Sequence, residues 1–326
     1  MGIPGPRQLG LAMLLGFVSS SCSFAALSAT RSLFSKGATL VTALAFMFAA
    51  TNLAIELAFL LWIFLGWQFV LALFLGPPIL VAVMAVIVRF TSQPEQIEAA
   101  RRHARGVEGG GDEPSTRLPA AWADRLRSRQ AWHRIGQAYI GEWGMVWKEL
   151  IIGFLVAGFV AALVPEAFFE AIFPTGLALI LLVPIHALLG PVLALITVIG
   201  SMGNGPLAAV LWENGVLFAG IMAFLYSDFI VIPSLKINAT YYGWRFAIYL
   251  GLVFAAAAII AGVVIHLAFA LLGLIPQVSG RVEELATFAI DYTFFLNLFA
   301  LSVAAALVWL AKTPPPRRSP PAEAEA

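Results

Sequence analysis

Long apolar runs recur along almost the entire chain, and they limit what it can fold into. A helix needs roughly 20 apolar residues to cross the ~30 Å hydrocarbon core of a bilayer. Only 11% of the residues are charged, whereas a soluble domain needs about 25% to cover its surface. The sequence therefore predicts an all-α, polytopic integral membrane protein. About eight runs form the predicted segments: 9–29, 38–64, 67–90, 148–164, 175–200, 216–235, 245–273 and 285–311.

Charged residues are concentrated in one stretch between the apolar runs. Residues 91–147 contain a Gly-Gly-Gly sequence and most of the arginines, which is typical of an aqueous loop. We therefore expect a first membrane repeat at 9–90, a cytoplasmic arginine-rich loop at 91–147 and a second membrane repeat at 148–311. The Pro- and Glu-rich tail, 312–326, is predicted to be disordered. Residues 120–136 mix aromatic residues with arginines, which fits either an amphipathic surface helix or a solvated linker.

Two short patterns occur in both halves of the chain at nearly constant spacing. Gly37 followed by Ala45-Phe46 matches Gly215 followed by Ala223-Phe224. The tetrapeptide Gly-Trp-Gln-Phe at 66–69 likewise matches Gly-Trp-Arg-Phe at 243–246. Apolar helices can resemble each other by chance, but the matched order and spacing favour an internal repeat.

The distribution of basic residues predicts how the two copies are oriented. Cytoplasmic loops collect Lys and Arg. If 175–212 is a hairpin that enters and leaves on the outer face, and 9–29 re-enters from the cytoplasm, every Lys and Arg except Arg281 lies inside. A simple span at 175–200 would move Lys236 and Arg245 outside. The hairpin interpretation predicts two inverted repeats with re-entrant or broken helices in the cytoplasmic (inner) membrane, an architecture of many secondary transporters.

Two polar interruptions of the apolar runs form the predicted substrate-binding site. Irregular backbone at membrane depth is tolerated only where it is buried in protein or lines a wet cavity. Hydroxyl, thiol and amide groups there would bind a solute, and glycine lets backbone N–H groups approach it. The alternative is that these small residues only pack helices together. The predicted site comprises Ser20, Ser21, Cys22 and Ser23 in the first interruption and Gly203, Asn204, Gly205 and Pro206 in the second.

Ionisable groups inside a bilayer are costly and call for an explanation. Glu56 is predicted deep in a helix, four residues after Asn52 and on the same face. Asp228 is predicted in the middle of a later helix. We expect Glu56, Asp228 and Asn52 to couple transport to an ion, against the alternative of neutral interhelical hydrogen bonds. The lone histidines His186 and His266 are predicted to be structural.

The sequence gives little support for a disulfide, a metal site or an enzyme active site. The single cysteine, Cys22, excludes an internal disulfide and a Cys-rich metal site. No phosphate-binding loop, His-Glu-x-x-His or Gly-x-Ser-x-Gly motif occurs. We therefore expect no catalytic residue, no metal, no cofactor and no nucleic-acid partner, and the protein is predicted not to be an enzyme. The expected partners are membrane lipid and a small-molecule or ion substrate; whether a homo-oligomer forms stays open.

Several longer stretches resemble a known family. They are Ser-Ser-Ser-Cys-Ser-Phe-Ala-Ala at 19–26, the segments 36–38 and 43–53, Leu-Gly-Pro at 189–191, and the segments 203–212 and 223–233. This pattern is similar to the bacterial predicted-permease family that includes the organoarsenical efflux permeases. The resemblance implies export of small molecules across the cytoplasmic membrane, driven by an ion gradient. A passive channel and a membrane scaffold whose arginine-rich loop binds a partner are the alternatives.

The sequence departs from that family in two ways. Family members often carry Cys in both re-entrant motifs, whereas Ser20 and either Ser201 or Gly203 stand here where thiols are expected. With Cys22 alone, capture of arsenic by three thiolates is impossible, although one thiol could still take a methylated arsenical. The second departure is the abrupt start before residue 9, where family members usually have one or two further helices.

Overall fold

The computed structural model describes residues 5–20, 22–106, 129–165, 168–169, 172–174, 176, 178–197, 199–277 and 292–313. Their regular secondary structure is helical throughout, which agrees with the predicted all-α class. The helices are α1 (Pro6–Ser19), α2 (Ser23–Ser35), α3 (Leu40–Asn52), α4 (Ile55–Phe64), α5 (Trp67–Thr91), α6 (Pro94–Gly106), α7 (Arg129–Leu163), α8 (Leu179–Thr197), α9 (Asn204–Glu213), α10 (Phe218–Leu225), α11 (Ile232–Tyr242), α12 (Trp244–Leu271) and α13 (Tyr292–Lys312).

The chain divides into two compact units. The larger comprises Met1–Gly110 and Glu149–Leu285, and it contains the whole predicted site. The smaller comprises Gly111–Lys148 and Ala286–Ala326, where the first part of α7 packs on α13. In this smaller unit the His133 ring nitrogen Nδ1 lies 2.9 Å from the Leu310 carbonyl oxygen.

Three of the described helices, α5, α8 and α12, are long and apolar enough to cross a membrane. Helices α3 and α4 meet the same criterion together, with a bend of 46° between them, and count as a fourth span if the pair is taken as one. Large apolar side chains cover the outside of these helices; Ile180 is 82% exposed and Leu271 89%. Such an apolar surface needs lipid around it, as expected of a membrane protein. The described residues thus provide three or four candidate spans, fewer than the about eight segments that the sequence predicts.

Helix breaks interrupt two runs that were predicted to be continuous. The run 38–64 breaks after Asn52, and the run 216–235 breaks between Leu225 and Ile232. At each break a hydroxyl donates back to the carbonyl of the preceding turn: Thr51, at the end of α3, to Met47 at 3.2 Å, and Ser227, inside the second break, to Ala223 at 2.6 Å. Such bonds weaken a helix, and Pro233 favours a new helix start in the second case. Asp228 therefore lies in a break and not in mid-helix.

Helix ends recur at a spacing of 177 or 178 positions. The matching pairs of ends are Ser19 and Thr197, Ser35 and Glu213, Phe64 and Tyr242; the matching starts are Leu40 and Phe218, Trp67 and Trp244. The glycines that begin the sequence repeats have matching left-handed backbones, with φ of 111° at Gly37 and 82° at Gly215, and of 98° at Gly66 and 86° at Gly243. Only glycine adopts these angles without strain, which explains why both patterns contain it.

Helices α5 and α12, which begin at the two matching Gly-Trp patterns, pack against each other in opposite directions. The Thr91 hydroxyl at the end of α5 lies 2.9 Å from the Tyr249 hydroxyl near the start of α12. At the other end, the Phe69 ring near the start of α5 contacts Phe218, which contacts Phe269 near the end of α12. The two helices are therefore antiparallel.

Helix α6 lies in the stretch predicted to be a loop, and it packs on α2 and α11. Arg105 Nε donates to the Ser35 carbonyl at 3.1 Å, and Arg101 Nη2 donates to the Ala38 carbonyl at 3.1 Å. The His103 ring nitrogen Nε2 is 3.2 Å from the Thr240 carbonyl oxygen. This end of the larger unit is thus covered by a helix that carries several cations.

Candidate functional site

The two polar interruptions meet inside the larger unit. Ser23, the first residue of α2, and Ser201, in the turn before α9, share a hydrogen bond of 3.1 Å between their hydroxyl oxygens. Ser23 is only 8% exposed. The two positions are 178 residues apart, the same spacing that separates the matching helix ends. The predicted binding residues on both sides of this contact are therefore brought to one place.

The carboxylate of Glu56 contacts the first interruption at Ser20. The Ser20 hydroxyl donates to Glu56 Oε2 at 3.2 Å. Ser20 itself has a left-handed backbone, with φ of 29°, where the chain turns from α1 towards α2. Glu56 is exposed and lies in the first turn of α4, so the positive end of that helix dipole favours its charge. The prediction that Glu56 lies deep in a helix on the same face as Asn52 is wrong, because the helix ends between them.

The carboxylate of Asp228 is bound by the second interruption, at Asn204. Asn204 Nδ2, at the start of α9, donates to Asp228 Oδ1 at 2.8 Å. Asn204 is 1% exposed and Asp228 3%. An amide donor offsets part of the cost of removing a carboxyl group from water. The structure therefore joins two residues for which the sequence predicted separate roles, one in solute binding and one in ion coupling.

Several buried polar side-chain atoms of the larger unit have no hydrogen-bond partner among the residues that the structure describes. The side-chain oxygens of Asn52 and Asn204 are buried, and neither has a hydrogen-bond partner among the residues that the structure describes. The Ser234 hydroxyl and the Asn238 amide nitrogen, both on α11, are in the same situation within those residues. Buried polar groups normally find partners. Of these atoms, the Asn204 oxygen lies beside the contact with Asp228, so it can accept a hydrogen bond there from water or a solute.

The other predicted binding residues lie close to these contacts. Cys22 caps α2, since its sulfur accepts a hydrogen bond from Ala25 N at 3.5 Å. Gly203 packs closely on Gly153 of α7, where a Cβ on Gly153 would lie 2.5 Å from the Gly203 Cα. Gly205 and Pro206 are buried in the first turn of α9. Ser21 lies outside the described residues.

Four helices begin around the site, namely α2, α4, α9 and α11. The first backbone N–H groups of a helix have no partner within it, so each helix start carries partial positive charge. Glu56 lies in the first turn of α4, and Asp228 lies shortly before α11. The arrangement can hold negative charge at two points and presents neutral donors and acceptors between them.

Two contributors were not among the predicted site residues. Ser201 could have been found by adding the repeat spacing to Ser23. Tyr226, which is 1% exposed, donates its hydroxyl to the Ala72 carbonyl of α5 at 2.7 Å and fixes the break that holds Asp228; no sequence pattern indicated this. His186 has the predicted structural role, because its Nδ1 accepts a hydrogen bond of 3.0 Å from Leu217 N, at the start of α10.

Comparison with known proteins agrees with the resemblance found in the sequence. A family model described as "Predicted permease" matches residues 1–267. The chain belongs to the predicted-permease family. It is also 39% identical over 314 residues to a Mycobacterium tuberculosis protein named "Putative permease Rv2963", an alignment covering 94% of this chain and 77% of that protein. No solved structure matches the chain.

Membership of the predicted-permease family applies to the part of the chain that forms the site. The matched residues include both interruptions, both carboxylates and every helix from α1 to α11. Together with the apolar helices, this identifies a membrane protein of a permease family. The matched residues include the contacts Ser20–Glu56, Ser23–Ser201 and Asn204–Asp228, together termed the polar centre.

Proposed function

We propose that the protein is a secondary permease that exports a small solute across the cytoplasmic membrane. The observation that carries the proposal is the meeting of the two interruptions at Ser23 and Ser201, with one carboxylate on each side. Polar groups at the tips of broken helices are costly in lipid, and transporters place them where a solute binds. The outward direction rests on the resemblance to efflux permeases.

The proposed architecture is a pair of inverted repeats. It is supported by the recurring helix ends, by the matching left-handed glycines and by the antiparallel packing of α5 and α12. Contacts between the two copies are reciprocal: α2 packs on α11, and α9 packs on α4. The end covered by α6 is assigned to the cytoplasm because Arg101, Arg102 and Arg105 cluster there.

In this proposal, one group of residues contacts the solute and a second group binds the coupling ion. Ser20, Cys22, Ser23 and Asn204 contact the solute through hydroxyl, thiol and amide groups. Asp228 and Glu56 bind the coupling ion, a proton or a metal cation, because carboxylates are the groups in the site that change charge. Asn52, whose side-chain oxygen is buried without a partner among the described residues, is assigned to the same ion-coupling role. A single thiol is compatible with a monothiol-binding solute such as a methylated arsenical.

The first step of the test is to identify the solute. A strain that lacks the permease gene is grown with toxic metalloids, including trivalent methylarsenite and inorganic arsenite, and with metals and drugs. We expect the strain to become sensitive to at least one compound and plasmid-borne wild-type protein to restore growth. Equal growth of both strains on every compound would contradict export of a toxic solute.

The second step measures transport of that compound in proteoliposomes. We expect an imposed proton or sodium gradient to drive accumulation by the wild type. The Glu56→Gln/Asp228→Asn double variant should lose this accumulation, while Arg102→Gln on the surface of α6 keeps it. Accumulation unchanged in the double variant would remove the two carboxylates from coupling. Wild-type flux that ignores both gradients would identify a passive channel instead.

A further inference from the structure

A cavity separate from the polar centre lies under α6. Its volume is about 550 Å³, within the range of small-molecule sites. It is bounded by the C-terminal end of α5, the N-terminal end of α3 and the inner face of α6. None of the predicted binding or coupling residues lines it. The cavity therefore calls for its own explanation.

Three arginines from two helices line this cavity. Arg89 comes from the last turn of α5, and Arg101 and Arg105 come from α6. The only acidic residue among the lining residues is Glu98, whose side chain is 49% exposed and lies 3.7 Å from Arg101 Nε. The lining thus has an excess of positive charge, which favours an anion.

Two of the arginines are already held in place by the protein. Arg101 donates to the Ala38 carbonyl, and its guanidinium carbon lies 4.5 Å from the centre of the Phe34 ring. Its Nε atom is buried and makes no hydrogen bond to any described residue. Arg105 donates to the Ser35 carbonyl. Side chains fixed in this way lose less conformational entropy when they bind a ligand.

The remaining wall of the cavity is suited to a ligand with both charged and apolar parts. Thr39 and Leu40, at the start of α3, bring the positive end of a helix dipole to the cavity. Leu40, Val41, Ala85 and Val88 provide an apolar side. Next to Arg89, the Phe90 side chain is 80% exposed at the end of a membrane-spanning helix. A cation cluster beside apolar surface at this level matches the head group and upper chains of a lipid.

We propose that this cavity binds a phosphate group, carried by an acidic phospholipid of the cytoplasmic leaflet. The guanidinium groups of Arg89, Arg101 and Arg105 would contact the phosphate, and the acyl chains would run along α3 and α5. A soluble phosphate would satisfy the same guanidinium groups but leave the apolar wall without a partner. The site is distinct from the polar centre, so its test does not depend on transport.

The experiment uses the full-length protein in detergent and measures bound lipid by native mass spectrometry. Phosphatidylglycerol is compared with phosphatidylcholine at equal concentration, and inorganic phosphate is added as a competitor. We expect preferential binding of phosphatidylglycerol, and a loss of affinity of about tenfold in Arg89→Gln, as for removal of one charged hydrogen bond. Arg89 is the suitable position because it makes no hydrogen bond or ion pair with any described residue, so the fold should not depend on it.

Control variants separate the site from general surface charge. Arg102→Gln removes an exposed arginine of α6 that does not line the cavity, and it should bind phosphatidylglycerol like the wild type. Arg89→Lys should retain most of the affinity. Glu98→Gln removes the acidic residue and should increase affinity, a result that destabilisation cannot produce.

The outcomes are distinct. If Arg89→Gln binds phosphatidylglycerol more weakly than the wild type, and phosphate does not displace the lipid, the ligand is a lipid. If millimolar phosphate displaces phosphatidylglycerol, the result supports a soluble phosphate compound in the same site. Equal binding of the two lipids with no effect of phosphate would overturn the proposal. The proposal would also be overturned if Arg89→Gln and Arg102→Gln lost the same affinity for phosphatidylglycerol, or if Arg89→Gln bound it like the wild type.

Discussion

Ser23 and Ser201, which lie 178 positions apart, hydrogen bond to each other through their hydroxyl groups at 3.1 Å. The same spacing separates matching helix ends, so these residues are equivalent positions of the proposed repeat. Equivalent residues of two symmetry-related copies contact each other only near the axis that relates them. In the proposed inverted repeats, the contact between Ser23 and Ser201 therefore lies near the axis that relates the two copies.

This contact predicts a specific cross-link. In a Cys22→Ser background, Ser23→Cys/Ser201→Cys should form a disulfide on mild oxidation, because hydroxyl oxygens at 3.1 Å place the Cβ atoms near the separation that a disulfide needs. A protease site introduced into residues 107–128 would let the cross-link be read on a gel, since the two fragments stay joined only when oxidised. Ser35→Cys/Ser201→Cys, with the first cysteine at the far end of α2, should not cross-link. Equal cross-linking of both pairs would contradict the contact.

The hydrogen bond between Asn204 and Asp228 should contribute to stability. Asn204→Leu removes the amide donor from a buried carboxyl group, and it should lower the free energy of unfolding by about 1–3 kcal/mol. Ser20→Ala is the comparison, because it removes an exposed hydrogen bond to Glu56 and should change stability by less than about 0.5 kcal/mol. Thermal unfolding of the purified protein in detergent measures both. If Ser20→Ala lowered the free energy of unfolding more than Asn204→Leu does, the hydrogen bond to Glu56 would contribute more to stability than the bond to Asp228, against this prediction.

Gly76 should not tolerate a larger side chain. A Cβ at this position would overlap the Tyr226 hydroxyl, which is buried against α5 and bonded to the Ala72 carbonyl. We expect Gly76→Ala to destabilise the protein by about 1–3 kcal/mol through overpacking. Gly158→Ala is a matched control, because its Cβ would meet nothing within 4 Å, and alanine raises helix propensity there by up to about 1 kcal/mol. Thermal unfolding should show the two variants moving in opposite directions.

Residues at the ends of α2 and α9 should lie on opposite sides of the membrane. Lys36 and Asn214 follow the matching helix ends Ser35 and Glu213. In the Cys22→Ser background, a membrane-impermeant maleimide should label Asn214→Cys on intact spheroplasts, and should label Lys36→Cys only after permeabilisation. Thr240→Cys, beside α6, should behave like Lys36→Cys. Labelling of Asn214→Cys and Thr240→Cys from the same side would contradict the inverted repeats.

Several features of the site could be read from the sequence because they depend on local composition. The interruptions at Ser20–Ser23 and Gly203–Pro206 stood out as polar residues within apolar runs. The glycines Gly37 and Gly215 marked the proposed repeat, because no other residue adopts their backbone angles without strain. Apolar runs alone did not reveal the breaks after Asn52 and Leu225, since a broken helix and a continuous one can have the same hydropathy.

The membrane character, the positions of the polar interruptions and the spacing of the matching glycine patterns follow from the sequence alone, because each depends on residue type and order along the chain. The tertiary structure decided which polar groups meet. It paired Ser20 with Glu56 and Asn204 with Asp228, and it brought Arg89 from α5 beside the arginines of α6. Such contacts depend on the directions in which helices pack, and those directions are set by side chains from several distant segments at once.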